Sequence, residues 1–182
     1  MRGPRGTGLL YVKRSLALQL EPPFLDVHAA TLISPDRYEI RADARRFETW
    51  EGHVAGKIGL GVAIDYALGW GLESIALRVQ ALASRLRSAL RSIPRVTVHD
   101  VGRQQCGIVT FTIENRSSAE IKDLLHERGI NVSVSSVTSS PIDMAQRGLG
   151  PLVRASVHYY NTEEEVDHVV HVISCAATAH EQ

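Results

Sequence analysis

The chain has 182 residues, 44% hydrophobic and 22% charged, with 20 basic residues set against 20 acidic ones. That length supports one medium domain or a medium and a small one, and the composition is globular rather than disordered. The balanced charge creates no global field toward nucleic acid or a membrane surface, and no apolar run reaches membrane-spanning length. Two cysteines, Cys106 and Cys175, make neither a disulfide framework nor a metal-ligand spacing. The expectation is a soluble chain in a reducing, cytoplasmic setting, with no nucleic-acid, membrane or metal partner.

The chain opens on a glycine-rich turn, residues 1–8, that runs into a short apolar strand at Leu9–Val12. Residues 21–50 hold no steady period and are interrupted by Pro22, Pro23 and Pro35, so they read as a long irregular stretch that is functional or leans on a partner surface. From His53 to Leu68 the pattern is helical, with Val54, Ile58, Val62 and Tyr66 in one stripe. Gly56, Gly59 and Gly61 each weaken this helix by about 1 kcal/mol relative to alanine. Such glycines are expected to admit close packing of another element, within the chain or across a dimer.

Gly69-Trp70-Gly71 marks a break, and a stronger helix follows with Leu72, Ile75, Val79, Leu82, Leu86, Leu90 and Ile93 along one face. Pro94 ends it. The pattern then changes to strand and helix in turn. Val96–His99 and Gly107–Glu114 are strands, the second with Val109, Phe111 and Ile113 opposite Ile108, Thr110 and Thr112. Ser117 and Glu120 form a capping box for a helix closed by Gly129. Asn131–Val137 is a further strand candidate and residues 138–150 a loop. Val153, Ala155, Val157 and Tyr159 then face one side of a last strand, with Arg154, Ser156, His158 and Tyr160 on the other. Thr162 and Glu165 make a second capping box, and Val166, Val169, Val170 and Ile173 stripe the final helix. Residues 95–182 thus read as a small α+β domain, residues 72–94 as a connecting helix, and residues 1–71 as a segment that cannot close a sheet-based core by itself.

Four segments carry a resemblance: Arg2-Gly-Pro-Arg-Gly-Thr-Gly8, Arg46-Phe-Glu48, Gly129-Ile-Asn-Val-Ser-Val-Ser-Ser136, and Arg154-Ala-Ser156 through Tyr160-Asn-Thr-Glu-Glu164. In this order and spacing the chain resembles the carboxy-terminal part of a class V aminotransferase, a pyridoxal-phosphate (PLP) enzyme of fold type I. It is most similar to the branch of isopenicillin-epimerase-like and cysteine-sulfoxide-lyase-like proteins. The resemblance implies an α/β fold with a small α+β domain, its antiparallel or mixed sheet covered by helices. It also implies an amino-acid substrate, PLP as cofactor of the intact enzyme, and a homodimer. Residues 1–71 would be the remnant of the large PLP-binding domain.

In that family the PLP-binding lysine sits a few residues before the Gly-Pro-x-Gly-x-Gly turn, a position that falls ahead of Met1. Lys13, Lys57 and Lys122 do not match it. The expectation is a chain that does not stably bind PLP alone and is inactive alone; the competing expectation is a non-catalytic domain with a structural or dimerisation role. No residue is assigned as catalytic. Arg154 matches the family residue that binds the substrate α-carboxylate, for which a planar guanidinium fork is suited. His28, within the irregular stretch, is a second substrate-binding candidate. Gly6, Gly8 and Trp50 are the cofactor-side candidates: the glycines shape the turn after the lysine, and Trp50 follows Arg46-Phe-Glu48 where the family continues with Gly-Thr. Desulfurases of this superfamily carry a sulfur-accepting thiol on a loop in the neighbourhood of residues 131–152. Here that segment reads Thr138-Ser139-Ser140-Pro141, so lyase, epimerase-like or transaminase chemistry is expected in preference to desulfuration.

Overall fold

The computed structural model describes residues 3–178, so Met1 and Arg2 of the opening turn lie outside them. Contacts divide the chain into two compact units, residues 1–70 and 71–182.

In the first unit, the turn at residues 3–8 is closed by the Thr7 N–H and hydroxyl, which both donate to the Pro4 carbonyl. The strand expected at Leu9–Val12 does not form. These residues find no ladder partner among the described residues, and Leu9, Leu10 and Tyr11 remain exposed. A single helical turn, α1 (Arg14–Ala17), follows. The stretch expected to be irregular instead contains an antiparallel hairpin, β1 (Ala30–Ser34) and β2 (Arg37–Ile40), with a bulge between Leu32 and Ser34. Pro35 and Asp36 supply the turn chemistry. The strands escape a periodicity search because β2 and most of β1 are solvent-facing, so no apolar alternation marks them. A 3-10 turn spans Ala44–Phe47.

Helix α2 (Val54–Trp70) forms as its pattern predicts, but its apolar stripe is not covered: Val54, Ile58, Val62 and Tyr66 are all exposed. The opposite side is where its glycines matter. A Cβ at Gly59 would lie 2.8 Å from the Pro4 ring and one at Gly56 2.8 Å from the Thr7 methyl, so the opening turn seats directly on the helix. Gly61 faces open space and has no such role.

The second unit carries the core. Helix α3 (Leu72–Arg91) starts after Gly71, whose φ of 84° is easily reached by glycine, and buries Leu82, Ala83, Leu86 and Leu90. Strands β3 (Val96–Val98), β4 (Ile108–Ile113), β5 (Ser133–Ser135) and β6 (Leu152–Ser156) form one antiparallel sheet in the order β3-β4-β6-β5. Alternation places Val109, Phe111, Ile113, Val153 and Ala155 on the face covered by α3, α4 (Ser118–Glu127) and α6 (Glu163–Thr178). Both predicted capping boxes close reciprocally. Glu120 N–H donates to Ser117 Oγ at 3.2 Å and Ser117 N–H to Glu120 Oε2 at 2.8 Å. Glu165 and Thr162 repeat the exchange at 3.2 and 3.0 Å. The end of α4 is a Schellman turn with Gly129 at φ 74°, where Ile130 and Gly129 donate to the Leu125 and His126 carbonyls.

Two expectations need correction here. Residues 138–150 are not a plain loop, because Pro141 starts a short helix, α5 (Pro141–Gln146), at the position where its missing N–H costs nothing. The last strand stops at Ser156, so His158 does not share a strand face with Arg154. His158 lies in the following turn, its ring centroid 4.4 Å from those of both Tyr159 and Tyr160.

Candidate functional site

Arg154 lies at the centre of the sheet, opposite Thr110 of β4 and Ser133 of β5 on its two neighbouring strands. Its flanking residues Val153 and Ala155 are buried, so the pleat turns the Arg154 side chain to the other face, where it is exposed. No carboxylate or other described residue pairs with its guanidinium. The fork is therefore open to an anionic ligand, and its backbone is fixed by ladders on both sides. That combination fits carboxylate recognition.

The strand opposite is held by a buried ion pair. Arg87 Nε donates to Asp100 Oδ2 at 2.6 Å, and both side chains are under 10% exposed. Arg87 Nη2 also donates to the Cys106 and Ile108 carbonyls, while Asp100 Oδ1 accepts from the Thr110 N–H and hydroxyl at 2.8 and 2.6 Å. Both carboxylate oxygens of Asp100, and the Nε and Nη2 of Arg87, have partners, the kind of support under which a buried pair is tolerated. The pair ties α3 to the start of β4 and sets Thr110 beside Arg154. Gly107 adds a second constraint: its carbonyl accepts from Val157 N–H at 2.7 Å, and a Cβ there would meet the Val157 oxygen at 2.6 Å. Sequence reasoning missed this support. An arginine next to Leu86 in an apolar stripe was its one visible sign.

The segment expected to matter for sulfur chemistry, residues 131–152, presents hydroxyls after β5. Ser136 Oγ lies 2.8 Å from Thr138 Oγ1 and 3.0 Å from Ser139 Oγ. Both thiols lie elsewhere, Cys106 just before β4 and Cys175 on α6, each exposed and free.

The first unit holds the other candidates. His28 and Trp50 meet edge to face, with ring centroids 6.0 Å apart at 82°. Asp26, which sequence reasoning passed over, organises them. Its carboxylate accepts from the backbone N–H of Trp50, and from those of His28 at 2.8 Å and Ala29 at 3.1 Å. The Trp50 N–H above all, with the other two, holds the Asp26 carboxyl below its ordinary range. An aspartate two residues before a histidine is the signature of such a side-chain-closed turn. Trp50 has a φ of 49° and an exposed indole.

Gly6, at φ 77°, and Gly8 sit in the opening turn, beside a 220 Å³ recess lined by Gly3, Pro4, Thr7, Gly8, Leu9 and Leu60. A phosphate-bearing cofactor requires cationic side chains or a cluster of free N–H groups. Among the described residues this lining offers no cationic side chain, and Lys13, Lys57 and Lys122 lie on α1's cap, α2 and α4. The described residues of this recess therefore supply no cation for a cofactor phosphate.

Against known proteins, the aminotransferase class-V family profile matches residues 1–169. The chain is 32% identical over 167 residues to a probable cysteine desulfurase of Methanothermobacter thermautotrophicus, covering 90% of this chain and 42% of that protein. It superposes on the apo cysteine desulfurase of Thermococcus onnurineus with a TM-score of 0.84 at 26% identity, over 97% of this chain and 44% of that one. The cystine C–S lyase C-DES, solved with its product cysteine persulfide, shares the fold at a TM-score of 0.75 and 22% identity, over 95% of this chain and 43% of that one. The chain thus spans less than half the length of these proteins. The neighbours are PLP-dependent enzymes of fold type I, and the mixed α/β architecture with its small antiparallel sheet agrees with that fold. On the profile match and the order of its elements, this chain belongs to the aminotransferase class-V family.

Proposed function

We propose that the chain supplies the substrate-carboxylate half of a PLP-dependent enzyme acting on an amino acid, of the lyase, epimerase or transaminase type, and not the half that holds the cofactor. The observation that carries this reading is the open guanidinium of Arg154, fixed at mid-sheet and flanked by Thr110 and Ser133. PLP, the cofactor of the family, supplies an electron sink in whole enzymes. The role of the residues present here is to bind and orient the substrate. Arg154 donates two parallel N–H bonds to the α-carboxylate, and the Arg87–Asp100 pair keeps the neighbouring strand in register.

Relatives carry the desulfurase name, and persulfide transfer needs a thiolate. Hydroxyls at Ser136, Thr138 and Ser139 cannot accept sulfur in that way, so we favour C–S or C–H bond chemistry without a protein persulfide. In a holoenzyme containing this chain, Arg154→Gln is expected to raise the amino-acid KM about tenfold or more, the usual loss for a charged hydrogen bond, with the cofactor spectrum unchanged. An unchanged KM contradicts the assignment.

A second reading, association through the first unit, is supported by the uncovered α2 stripe of Val54, Ile58, Val62 and Tyr66. Contiguous exposed apolar surface of this kind marks interaction sites. We take the partner to be a second copy of the chain, and Ile58→Glu is expected to convert a dimer to monomer in sedimentation. A wild-type monomer at all concentrations contradicts it.

A further inference from the structure

Between α4 and α6, away from the Arg154 row, lies a cavity of about 170 Å³. Leu124, Val172 and Ala176 make its apolar walls, and the polar groups entering it are Arg116, Arg128, His171 and Cys175. Among the described residues no acidic side chain lines it. Arg78, Arg85, Arg87, Arg95 and Arg147 of the same unit each have a carboxylate at ion-pair distance. Among the described residues Arg116 and Arg128 have none, as is also true of Arg91, Arg103 and Arg154, and neither guanidinium hydrogen-bonds to another described residue. The Nε of Arg116 is moreover buried without an acceptor. Buried polar groups in folded proteins are satisfied by protein groups, ordered water or a bound ion, and the half-buried Arg116 has no protein acceptor for its Nε.

The local structure explains why the two cations reach one cavity. Asn115, in the left-handed region at φ 61°, turns the chain so that Arg116 precedes the Ser117 cap. Arg128 is the residue at the other end of α4, and α6 packs along the helix between them. Two guanidinium forks over an apolar floor suit an oxyanion with several acceptor oxygens, and the small volume excludes a drug-sized ligand.

We propose that this cavity is a binding site for a small phosphoryl dianion, either inorganic phosphate or a compact phosphomonoester. The site is separate from the amino-acid carboxylate site and does not depend on that reading. The Arg116 and Arg128 guanidinium forks would donate to the phosphoryl oxygens. His171, whose Nε2 lies 3.9 Å from Cys175 Sγ, lines the same cavity.

The thiols give a built-in assay. Cys175 lines the cavity, whereas Cys106 is exposed in the loop before β4, so iodoacetamide alkylation of the two can be read separately by peptide mass in the 182-residue chain. With inorganic phosphate at about four times its dissociation constant, alkylation of Cys175 should slow about fivefold, as occupancy requires, while Cys106 is unaffected. Chloride at equal ionic strength should do neither. Arg128→Gln, an exposed side chain whose loss should not disturb folding, should move the phosphate midpoint about tenfold higher; Lys122→Gln, exposed on α4 outside the cavity, should not move it. Glycerol phosphate in place of phosphate tests the monoester source: protection by either anion supports the site. Equal slowing of both thiols, equal effects of chloride, or equal shifts in Arg128→Gln and Lys122→Gln would each overturn the proposal. Calorimetric titration of phosphate into the wild-type chain gives an independent readout, and the absence of binding heat together with unprotected Cys175 also overturns it.

Discussion

The two units solve the burial problem in different ways. In residues 71–182 an antiparallel sheet and three helices enclose Leu82, Leu90, Val109, Phe111, Ile121, Leu125, Val153 and Ile173, each almost wholly shielded from water. In residues 1–70 the only buried apolar side chains among the described residues are four alanines and Pro22, while Val54, Ile58, Val62 and Tyr66 face outward along one helix. The second unit thus owes its stability to its own core, as small α+β layers do. The first leaves its largest apolar surface for another surface to cover. The candidate residues follow the same division: Arg154 rests on a packed sheet, and the His28–Trp50 pair rests on a turn closed by one carboxylate.

The sharpest way to break this contrast is Asp100→Ala, which leaves the Arg87 guanidinium buried and unpaired. It is expected to cost about 3–5 kcal/mol in the second unit. Hydrogen exchange of amides between Leu82 and Leu90 reports it, and the tryptophan signal stays unchanged, since Trp50 and Trp70 both belong to the first unit. Gly107→Ala comes next, because the new methyl meets the Val157 carbonyl oxygen and the Val79 side chain, each at 2.6 Å. Overpacking of that kind costs about 1–3 kcal/mol and should lower the same exchange protection. Ile58→Ser on the uncovered face of α2 is expected to change the monomer's stability by less than about 0.5 kcal/mol in denaturant titration.

The smallest effect concerns pH. Arg78 beside Glu163, hydrogen-bonded to both carboxylate oxygens, lowers that carboxyl from its ordinary 4.5 to about 2. A depressed folded-state value means the pair's contribution is present above 4.5 and is lost as pH falls toward 2. Both side chains are well solvated, so the effect is small. Glu163→Gln should flatten the acid limb of the stability curve in that window and leave the neutral region nearly unaltered.

Much of the second unit was legible in the sequence because its signals are local and redundant. The α3 stripe, two capping boxes, Gly129 and the alternation through Phe111 each specify the same layers. What escaped was non-local or solvent-facing. The β1–β2 hairpin lacks an apolar face, α5 depends on Pro141 at a helix start, and Leu9–Val12 has an apolar pattern but no strand beside it. At the site, Arg154 was named from its motif, and its cross-strand neighbours Thr110 and Ser133 followed only from register. Asp26 and the Arg87–Asp100 pair left only faint local signs because each joins residues through space: Asp26 reaches Trp50, and Arg87 reaches across from a helix to the chain entering β4.

The proposed division, a substrate-carboxylate element without a complete cofactor site, is open to direct test. Absorbance titration of the 182-residue chain with PLP tests it most directly. No saturable one-to-one cofactor band and no spectral response to added amino acids are expected. A stoichiometric band that shifts when an amino acid is added would contradict it.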